Sequence, residues 1–234
     1  MIIPTYNERE NLASLVTDVL ALGPDVRVIV VDDNSPDGTG TLADQLASRF
    51  PGRVNVLHRA KKLGIGPAYV AGFAEALKSN AAFVATMDAD HSHNPADLPR
   101  LVDRALAADL ALGSRYVPGG STHGWPFHRK LLSRLGGTYA RLVLGVPIAD
   151  LTGGFKVYKR AALEALDLEA VQSDGYVFQI ETTYRTLKSG FCVVEEPISF
   201  VDRFAGTSKL SRMIILEAML LVWKLRFQDL SARN

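Results

Sequence analysis

Two aspartates that flank one alanine, Asp88 and Asp90, come directly after the apolar run 83–87, which we predict to be a buried strand. Carboxylates this close at a strand end can turn toward one cation, and such hard oxygen ligands suit Mg²⁺ or Mn²⁺, ions that also bind phosphate groups. Taken alone, the pattern is more simply an acidic turn that caps the helix predicted after Pro95. His91 fits either a metal ligand or a solvated loop residue.

Polar residues also follow two earlier predicted strands. The stretch Pro-Thr-Tyr-Asn-Glu at 4–8 follows a strand that ends at Ile3, and Asp32 and Asp33 end a strand predicted over 26–31. Ligands of open parallel sheets lie beyond the carboxyl ends of the strands, so these residues should meet the later aspartates at one edge. Asp32 and Asp33 are either a polar strand end entering a turn or carboxylates for the ribose or base of a nucleotide.

A set of basic residues lies further along the chain. Arg115 follows a predicted strand, Arg129 begins a predicted helix, and Arg203 and Lys209 flank the sequence Gly-Thr-Ser. Arginine forks and lysine point charges are the groups that bind phosphate in proteins. Each of them alone is more simply a solvated surface charge, so only the whole set indicates an anion site.

Several function classes lose support. No Gly-x-Gly-x-x-Gly follows an early strand and no Gly-x-x-x-x-Gly-Lys-Ser/Thr occurs, which disfavours dinucleotide-binding and P-loop proteins. The absence of Gly-x-Ser-x-Gly weakens a hydrolase assignment. With 26 Lys+Arg against 25 Asp+Glu, the chain lacks the basic excess of a nucleic-acid binder, so no nucleic-acid partner is expected.

The elements that must position these residues alternate along the chain. Short β-branched runs and helix-length amphipathic stretches follow one another, as in βαβ units that form a mostly parallel central sheet flanked by helices. Residues 116–127 have no periodicity and are predicted to be a long loop. Helices are predicted over 7–22, 39–50, 67–78, 129–144 and 176–188 and after 95, and strands over 2–3, 26–31, 54–57, 83–87, 110–112 and 155–158, with an extended stretch at 193–201.

The 234 residues are predicted to form a domain over 1–209 and a C-terminal apolar or amphipathic helix over 210–234. Residues 213–223 are apolar except for Glu217, too few to span a bilayer and too apolar for an ordinary surface helix. This segment fits either packing, against its own domain or a second copy, or a position in the lipid headgroup region. A single cysteine, Cys192, and no signal peptide indicate a cytoplasmic chain.

Taken together, the motifs resemble those of the inverting family-two glycosyltransferases, and within them the polyprenol (dolichol) phosphate mannose synthases, particularly those of actinobacteria. The resemblance extends from Ile2 to about Lys209. The motifs that carry it are PTYNE at 4–8, VDDNSPDGT at 31–39, GIG at 64–66, DAD at 88–90, GSRY at 113–116, GG at 119–120, WPF at 125–127, RK at 129–130, DLTGGF at 150–155, DGY at 174–176 and GTSK at 206–209.

The resemblance implies a GT-A nucleotide-sugar-binding fold of the α/β class and assigns roles to residues. The implied donor contacts are Pro4, Tyr6, Glu8, Val31, Asp33, Asp88, Ala89, Asp90, Arg203 and Lys209. The implied metal ligands for Mg²⁺ or Mn²⁺ are Asp88, Asp90 and Ser92. The implied acceptor-phosphate contacts are Arg115, Arg129 and Ser133, and the implied catalytic residues are Asp88, Asp90, Arg115 and Arg129.

The implied reaction moves mannose from GDP-mannose to a polyprenyl monophosphate lipid with inversion at the anomeric carbon. The alternatives are transfer of glucose from UDP-glucose to a lipid phosphate and an inactive membrane-associated partner subunit, although the intact acidic and basic motifs argue against the latter. The implied location is peripheral, on the cytoplasmic face of the membrane. The membrane surface and a separate membrane-anchoring protein are the implied partners.

Overall fold

The computed structural model describes residues 1–171, 173–202 and 219–227. A 7-stranded sheet in the order β3-β2-β1-β4-β7-β5-β8 forms its centre. Each strand of this sheet is parallel to its neighbours, except that β7 is antiparallel to both β4 and β5. A second, two-stranded sheet pairs β6 with β9 in parallel. The predicted α/β architecture with a mostly parallel sheet is confirmed.

The elements follow the predicted order closely. The strands are β1 Ile2–Thr5, β2 Val28–Asp32, β3 Val54–His58, β4 Phe83–Thr86, β5 Leu110–Ser114, β6 Ser121–His123, β7 Lys156–Lys159, β8 Val193–Pro197 and β9 Ser199–Val201. The helices are α1 Arg9–Ala21, α2 Thr39–Arg49, α3 Ile65–Leu77, α4 Leu98–Ala107, α5 Phe127–Leu144, α6 Arg160–Glu164 and α7 Gly175–Lys188, with α8 at residues 219–227.

Helices cover both faces of the large sheet because each has one apolar stripe. In α1, Leu12, Leu15, Val16 and Val19 recur at helical spacing and are all fully buried. They belong to one core cluster with residues of α2 and α4, while α3, α6 and α7 form a second cluster around Phe73. The sheet is therefore held between two helical layers, and its polar strand ends remain at the rim.

A third core cluster joins α5, α7 and the described part of the predicted C-terminal helix. Val222 and Leu225 of α8 are buried there against Ala140 and Leu144. The opposite side of α8 exposes Trp223 and other apolar residues. One face of α8 therefore packs on its own domain, as one of the two interpretations expected. Among the described residues, no helix is long and apolar enough to cross a membrane.

The 116–127 region contains regular structure that the sequence did not predict. Its residues Ser121–His123 form β6, which pairs with Ser199–Val201. The expected single extended stretch over 193–201 is two strands divided at Ile198, with β8 in the large sheet and β9 in the small one. The small sheet places the end of this region beside the site described next.

Candidate functional site: two adjoining cavities at the sheet edge

A cavity of ≈ 410 Å³ opens where β1, β2 and β4 end, and we call it the carboxylate cavity. It brings together residues from three of the predicted strand ends, because the parallel strands all finish at this edge. Its lining residues are Pro4, Thr5, Tyr6, Glu8, Asp33, Lys62, Gly64, Ile65, Ala68, Asp88, Ala89, Asp90, Thr152, Gly154, Asp174, Gly175, Tyr176 and Gln179.

Asp88 is held in place from below by a buried tyrosine. The Tyr69 hydroxyl donates a hydrogen bond to Asp88 Oδ1 at 2.9 Å, and the Tyr69 ring stacks on Phe178 with centroids 5.5 Å apart. Burial and the Asp88 carboxylate raise the pKa of Tyr69 well above its ordinary value, so the phenol remains a donor. This fixes one carboxylate of the pair at the cavity wall.

The two aspartates at the end of β2 have different environments. Asp32 accepts hydrogen bonds from Thr5 and from the backbone and hydroxyl of Ser35, which is the turn role expected as one alternative. Asp33 lies in the cavity wall, ion-paired with Arg59. The sequence could not separate these roles because both residues follow the same strand.

The loop after Asp90 is fastened away from the cavity. His91 adopts a positive φ of 57°, and its Nε2 lies 2.9 Å from Ser14 Oγ and 3.2 Å from the Asn11 carbonyl oxygen on α1. His91 thus anchors the loop to α1 and is absent from the cavity lining. The helix start after this loop is capped by Asn94, whose side chain accepts from Ala96, so the acidic pair is not the cap.

Two residues implied by the resemblance are not brought into the cavity lining. Val31 is fully buried in the second core cluster and supports the site from beneath, because β2 is covered on both faces. Its implied role as a donor contact stays a prediction. Ser92 is 1% exposed, donates its backbone N–H to Asp90, and its hydroxyl makes no hydrogen bond among the described residues. Its role as a metal ligand stays a prediction, while Arg203 and Lys209 lie outside the described residues.

The donor set at β4 suits a divalent cation shared with a substrate. Asp88 and Asp90 both line the cavity and offer hard carboxylate oxygens. Across the described ranges, no group of three or more His, Cys, Asp or Glu side chains could hold a metal ion. Mg²⁺ commonly binds through one or two carboxylates plus substrate phosphates, so this pair fits that mode rather than an all-protein site.

A second cavity of ≈ 140 Å³ adjoins the first, and we call it the apolar cleft. It lies between α5, α7 and α8, and Thr152 and Tyr176 belong to the walls of both cavities. The cleft is lined by Arg115, Trp125, Arg129, Leu132, Ser133, Gly136, Gly137, Tyr139, Ala140, Thr152, Tyr176, Ile180, Met219 and Val222. All three implied acceptor-phosphate residues therefore share one cavity.

Arg115 is buried and paired at the inner wall of the cleft. Its Nε and Nη2 donate to the two oxygens of Asp150 at 2.7 and 2.6 Å, and Nη2 also donates to Thr152 at 2.7 Å. Burial would raise the pKa of Asp150, but the Arg115 guanidinium outweighs it and holds that pKa below its ordinary value. Arg115 therefore enters the site with its charge already balanced, which the sequence did not predict.

Arg129 and Ser133 line the cleft from α5. Arg129 Nη1 donates to Asp202 at 2.8 Å, and its guanidinium lies 4.2 Å from the centroid of the Trp125 ring. Ser133 accepts a hydrogen bond from the Tyr116 hydroxyl at 2.6 Å. The cleft therefore combines an apolar interior with two guanidinium groups.

Several wall residues had motif signals but no predicted role. The DLTGGF motif contains Thr152 and Gly154, and the DGY motif contains Asp174 and Tyr176. Lys62 belongs to none of the motifs that carry the resemblance. Asp174 receives the backbone N–H of Gly66 at 2.8 Å and so ties the start of α7 to the start of α3. Such contacts join distant segments, which local patterns do not reveal.

Residues 1–167 match the family model for glycosyl transferase family 2, and the chain belongs to that family. It is a glycosyltransferase. It is 52% identical to the polyprenol monophosphomannose synthase of Mycolicibacterium smegmatis over 97% of this chain and 86% of that protein. It is 46% identical to the undecaprenyl-phosphate mannosyltransferase of Micrococcus luteus over 99% of this chain and 97% of that protein. The predicted family resemblance is confirmed.

Solved structures share the fold. A glucosyl-3-phosphoglycerate synthase from Mycobacterium tuberculosis, in complex with Mn²⁺, UDP and glucosyl-3-phosphoglycerate, aligns with a TM-score of 0.69 at 20% identity. The alignment covers 96% of this chain and 78% of that one. The predicted GT-A fold is confirmed.

Asp150→Asn should lower the free energy of unfolding by about 3 kcal/mol at pH 7, because Arg115 would remain buried without its counter-charge. Asp150 has a lowered folded-state pKa, so its contribution is present above the unfolded-state value near 3.8 and is lost as the pH falls below it. The difference between wild type and variant should therefore shrink below about pH 4. Urea denaturation from pH 7 to pH 3 measures this, with exposed Asp103→Asn as the control; a constant difference across that range would contradict it.

Proposed function

We propose that this protein transfers mannose from GDP-mannose to a polyprenyl monophosphate, with inversion at the anomeric carbon. Two relatives that match nearly the whole chain carry names for mannose transfer to polyprenol lipids, which supports the sugar and the acceptor class. The observation that carries the proposal is the joining of the two cavities at Thr152 and Tyr176.

The two cavities suit two different substrates. The carboxylate cavity can accept a nucleotide sugar whose diphosphate shares a cation with Asp88 and Asp90. The apolar cleft suits a hydrocarbon chain, and Arg115 and Arg129 suit an anionic head group at its inner end. An amphiphilic phosphate would therefore lie with its head toward the shared wall, where the sugar of the donor is presented.

The acceptor needs little activation in this arrangement. A phosphate monoester has its second pKa near 6, so its oxygen is already anionic at neutral pH and needs no strong general base. That oxygen forms a bond to C1 of mannose while the bond from C1 to the GDP oxygen breaks on the opposite face. Arg129 orients the acceptor phosphate, and Arg115, whose charge Asp150 balances, fixes the position of the shared wall.

Departure of GDP requires stabilisation of the negative charge that develops on its diphosphate. A divalent cation, Mg²⁺ or Mn²⁺, held by Asp88 and Asp90 would neutralise that charge when bound. The hydrogen bond from Tyr69 keeps Asp88 oriented toward the cavity. The proposed donor pocket is completed by Pro4, Tyr6, Glu8, Val31, Asp33 and Ala89. Arg203 and Lys209 keep their proposed role in donor binding, and Ser92 keeps its proposed role as a metal ligand.

The composition of the outer face of α5, beside the cleft, supports binding to a membrane surface. Phe127, Leu135 and Leu142 of α5 are 79%, 59% and 71% exposed, and Trp223 of α8 is also exposed. Basic residues of α5 and α8 are interspersed with them. Exposed apolar and basic side chains on one surface are typical of binding in the headgroup region of anionic membranes. We propose peripheral association with the cytoplasmic face of the membrane, with or without a separate anchoring protein.

Donor and acceptor are tested together by a transfer assay. Radiolabelled GDP-mannose, UDP-glucose and UDP-N-acetylglucosamine are each offered with polyprenyl phosphate and Mg²⁺ or Mn²⁺, and label entering the organic phase is counted. We expect transfer from GDP-mannose only, and its loss with EDTA or in Asp90→Ala, because the diphosphate charge is then uncompensated. Efficient transfer from a UDP-sugar alone would refute the donor assignment.

Arg129→Ala should raise the KM for lipid phosphate about tenfold while leaving the KM for GDP-mannose within about twofold. A hydrogen bond to a charged group contributes about 1.5–3 kcal/mol, and this one involves the acceptor. Steady-state kinetics in detergent, with each substrate varied in turn, measures the effect. Arg141→Ala, on the same helix but absent from the cleft lining, is the control; a defect confined to GDP-mannose in Arg129→Ala would contradict the assignment.

Leu135→Glu should weaken binding to anionic vesicles several-fold, because it places a like charge and a polar group on the proposed contact surface. Leu106→Glu on α4 is the matched control, since Leu106 is 60% exposed and Leu135 is 59% exposed. Co-sedimentation with phosphatidylglycerol vesicles compares the variants. If both variants lost vesicle binding to the same extent, or if neither lost it, α5 would not be the surface that contacts the membrane.

A further inference from the structure

The order of the strands indicates which end of the carboxylate cavity would hold the diphosphate and which would hold the base. Along the sheet edge β3, β2, β1 and β4 are successive neighbours, and Asp88 and Asp90 follow β4. Neighbouring strands lie about 4.8 Å apart, so the loop after β3 begins about 14 Å from β4. This span is comparable to an extended nucleoside diphosphate. A donor whose diphosphate reaches the aspartates therefore places its base toward the loop that follows β3.

Asp33 lies at that end of the cavity, and both of its carboxylate oxygens accept hydrogen bonds from the protein. Its Oδ1 accepts from Arg59, and its Oδ2 accepts the backbone N–H groups of Leu63 and Gly64 at 3.0 and 3.1 Å. The guanidinium balances its charge, and the two amide bonds fold the 59–64 loop around it. Asp33 thereby fixes the position of Lys62, the residue before Leu63.

Lys62 brings a positive charge into the cavity from the loop that follows β3. Its Nζ lies 3.6 Å from the centroid of the Tyr6 ring, and both side chains line the cavity. The Lys62 side chain is otherwise exposed, and a cation–π contact at an exposed site is weak, so the ammonium can exchange it for a stronger acceptor. The neighbouring Lys61 is also exposed but does not line the cavity.

We propose that Lys62 is a specificity-determining residue that donates hydrogen bonds to the O6 and N7 edge of guanine. Guanine offers these two acceptors side by side, and a basic side chain facing them is the commonest specific contact to this base. A pyrimidine offers no such pair. The proposal rests on the proposed function and names the residue that would select a GDP donor over a UDP donor.

Isothermal titration calorimetry of the full chain with Mn²⁺ tests this, using GDP, UDP and 7-deaza-GDP, which lacks the N7 acceptor. Lys62→Ala should weaken GDP binding about tenfold and change UDP binding less than twofold. Wild type should bind 7-deaza-GDP more weakly than GDP, and Lys62→Ala should bind the two nearly equally. Lys62→Arg should retain most of the GDP affinity, and Lys61→Ala should match wild type.

Each other outcome overturns the proposal. Equal weakening for GDP and UDP in Lys62→Ala would assign Lys62 to the diphosphate, and unchanged GDP binding would make it a surface lysine. A wild-type preference for GDP that survives Lys62→Ala overturns this inference alone. A wild-type preference for UDP overturns the donor assignment as well, so the two failures are distinguishable.

Discussion

The buried ion pair between Arg115 and Asp150 determines how the two cavities meet. It connects the end of β5 to the 150–154 loop, and Glu195 on β8 accepts the backbone N–H groups of Ala149 and Asp150 at 2.8 and 2.9 Å from the other side. Thr152, bonded to Arg115, then forms part of both walls. Loss of the pair would leave a buried charge uncompensated at the junction, so folding and the geometry of the site depend on the same contact.

The charges are distributed as a transfer between two phosphates requires. Carboxylates that can share a cation lie at the end of β4, and guanidinium N–H donors lie in the apolar cleft, so the two anionic groups would be bound in different ways, one through the cation and the other through hydrogen bonds. In each cavity a neighbouring residue fixes the charged side chain in position. Tyr69 donates a hydrogen bond to Asp88, and Asp150 forms an ion pair with Arg115. Such preorganised electrostatics is usually the largest contribution to catalysis of this kind.

Much of this arrangement could be predicted because it depends on local pattern. Asp88 and Asp90 end a strand, and the edge where parallel strands finish is where ligands bind, so their cavity follows from the βαβ pattern. What could not be predicted depends on tertiary contacts. The partner of Arg115 is a distant aspartate, β6 and β9 are three-residue strands with no periodicity to detect, and His91 turns to α1 through a positive φ. A motif match also does not show which way a side chain points, and Val31, implied as a donor contact, is fully buried beneath the site.

In the proposed reaction, the lipid phosphate enters the apolar cleft and meets the donor at the shared wall. A short polyprenyl phosphate carrying a diazirine on the isoprene unit nearest the phosphate tests it most directly, by photolabelling the full chain and mapping adducts by mass spectrometry. We expect adducts on α5 and residues 219–227 that unlabelled lipid phosphate removes and GDP does not. Adducts on the loops after β1 or β3, removed by GDP, would contradict it.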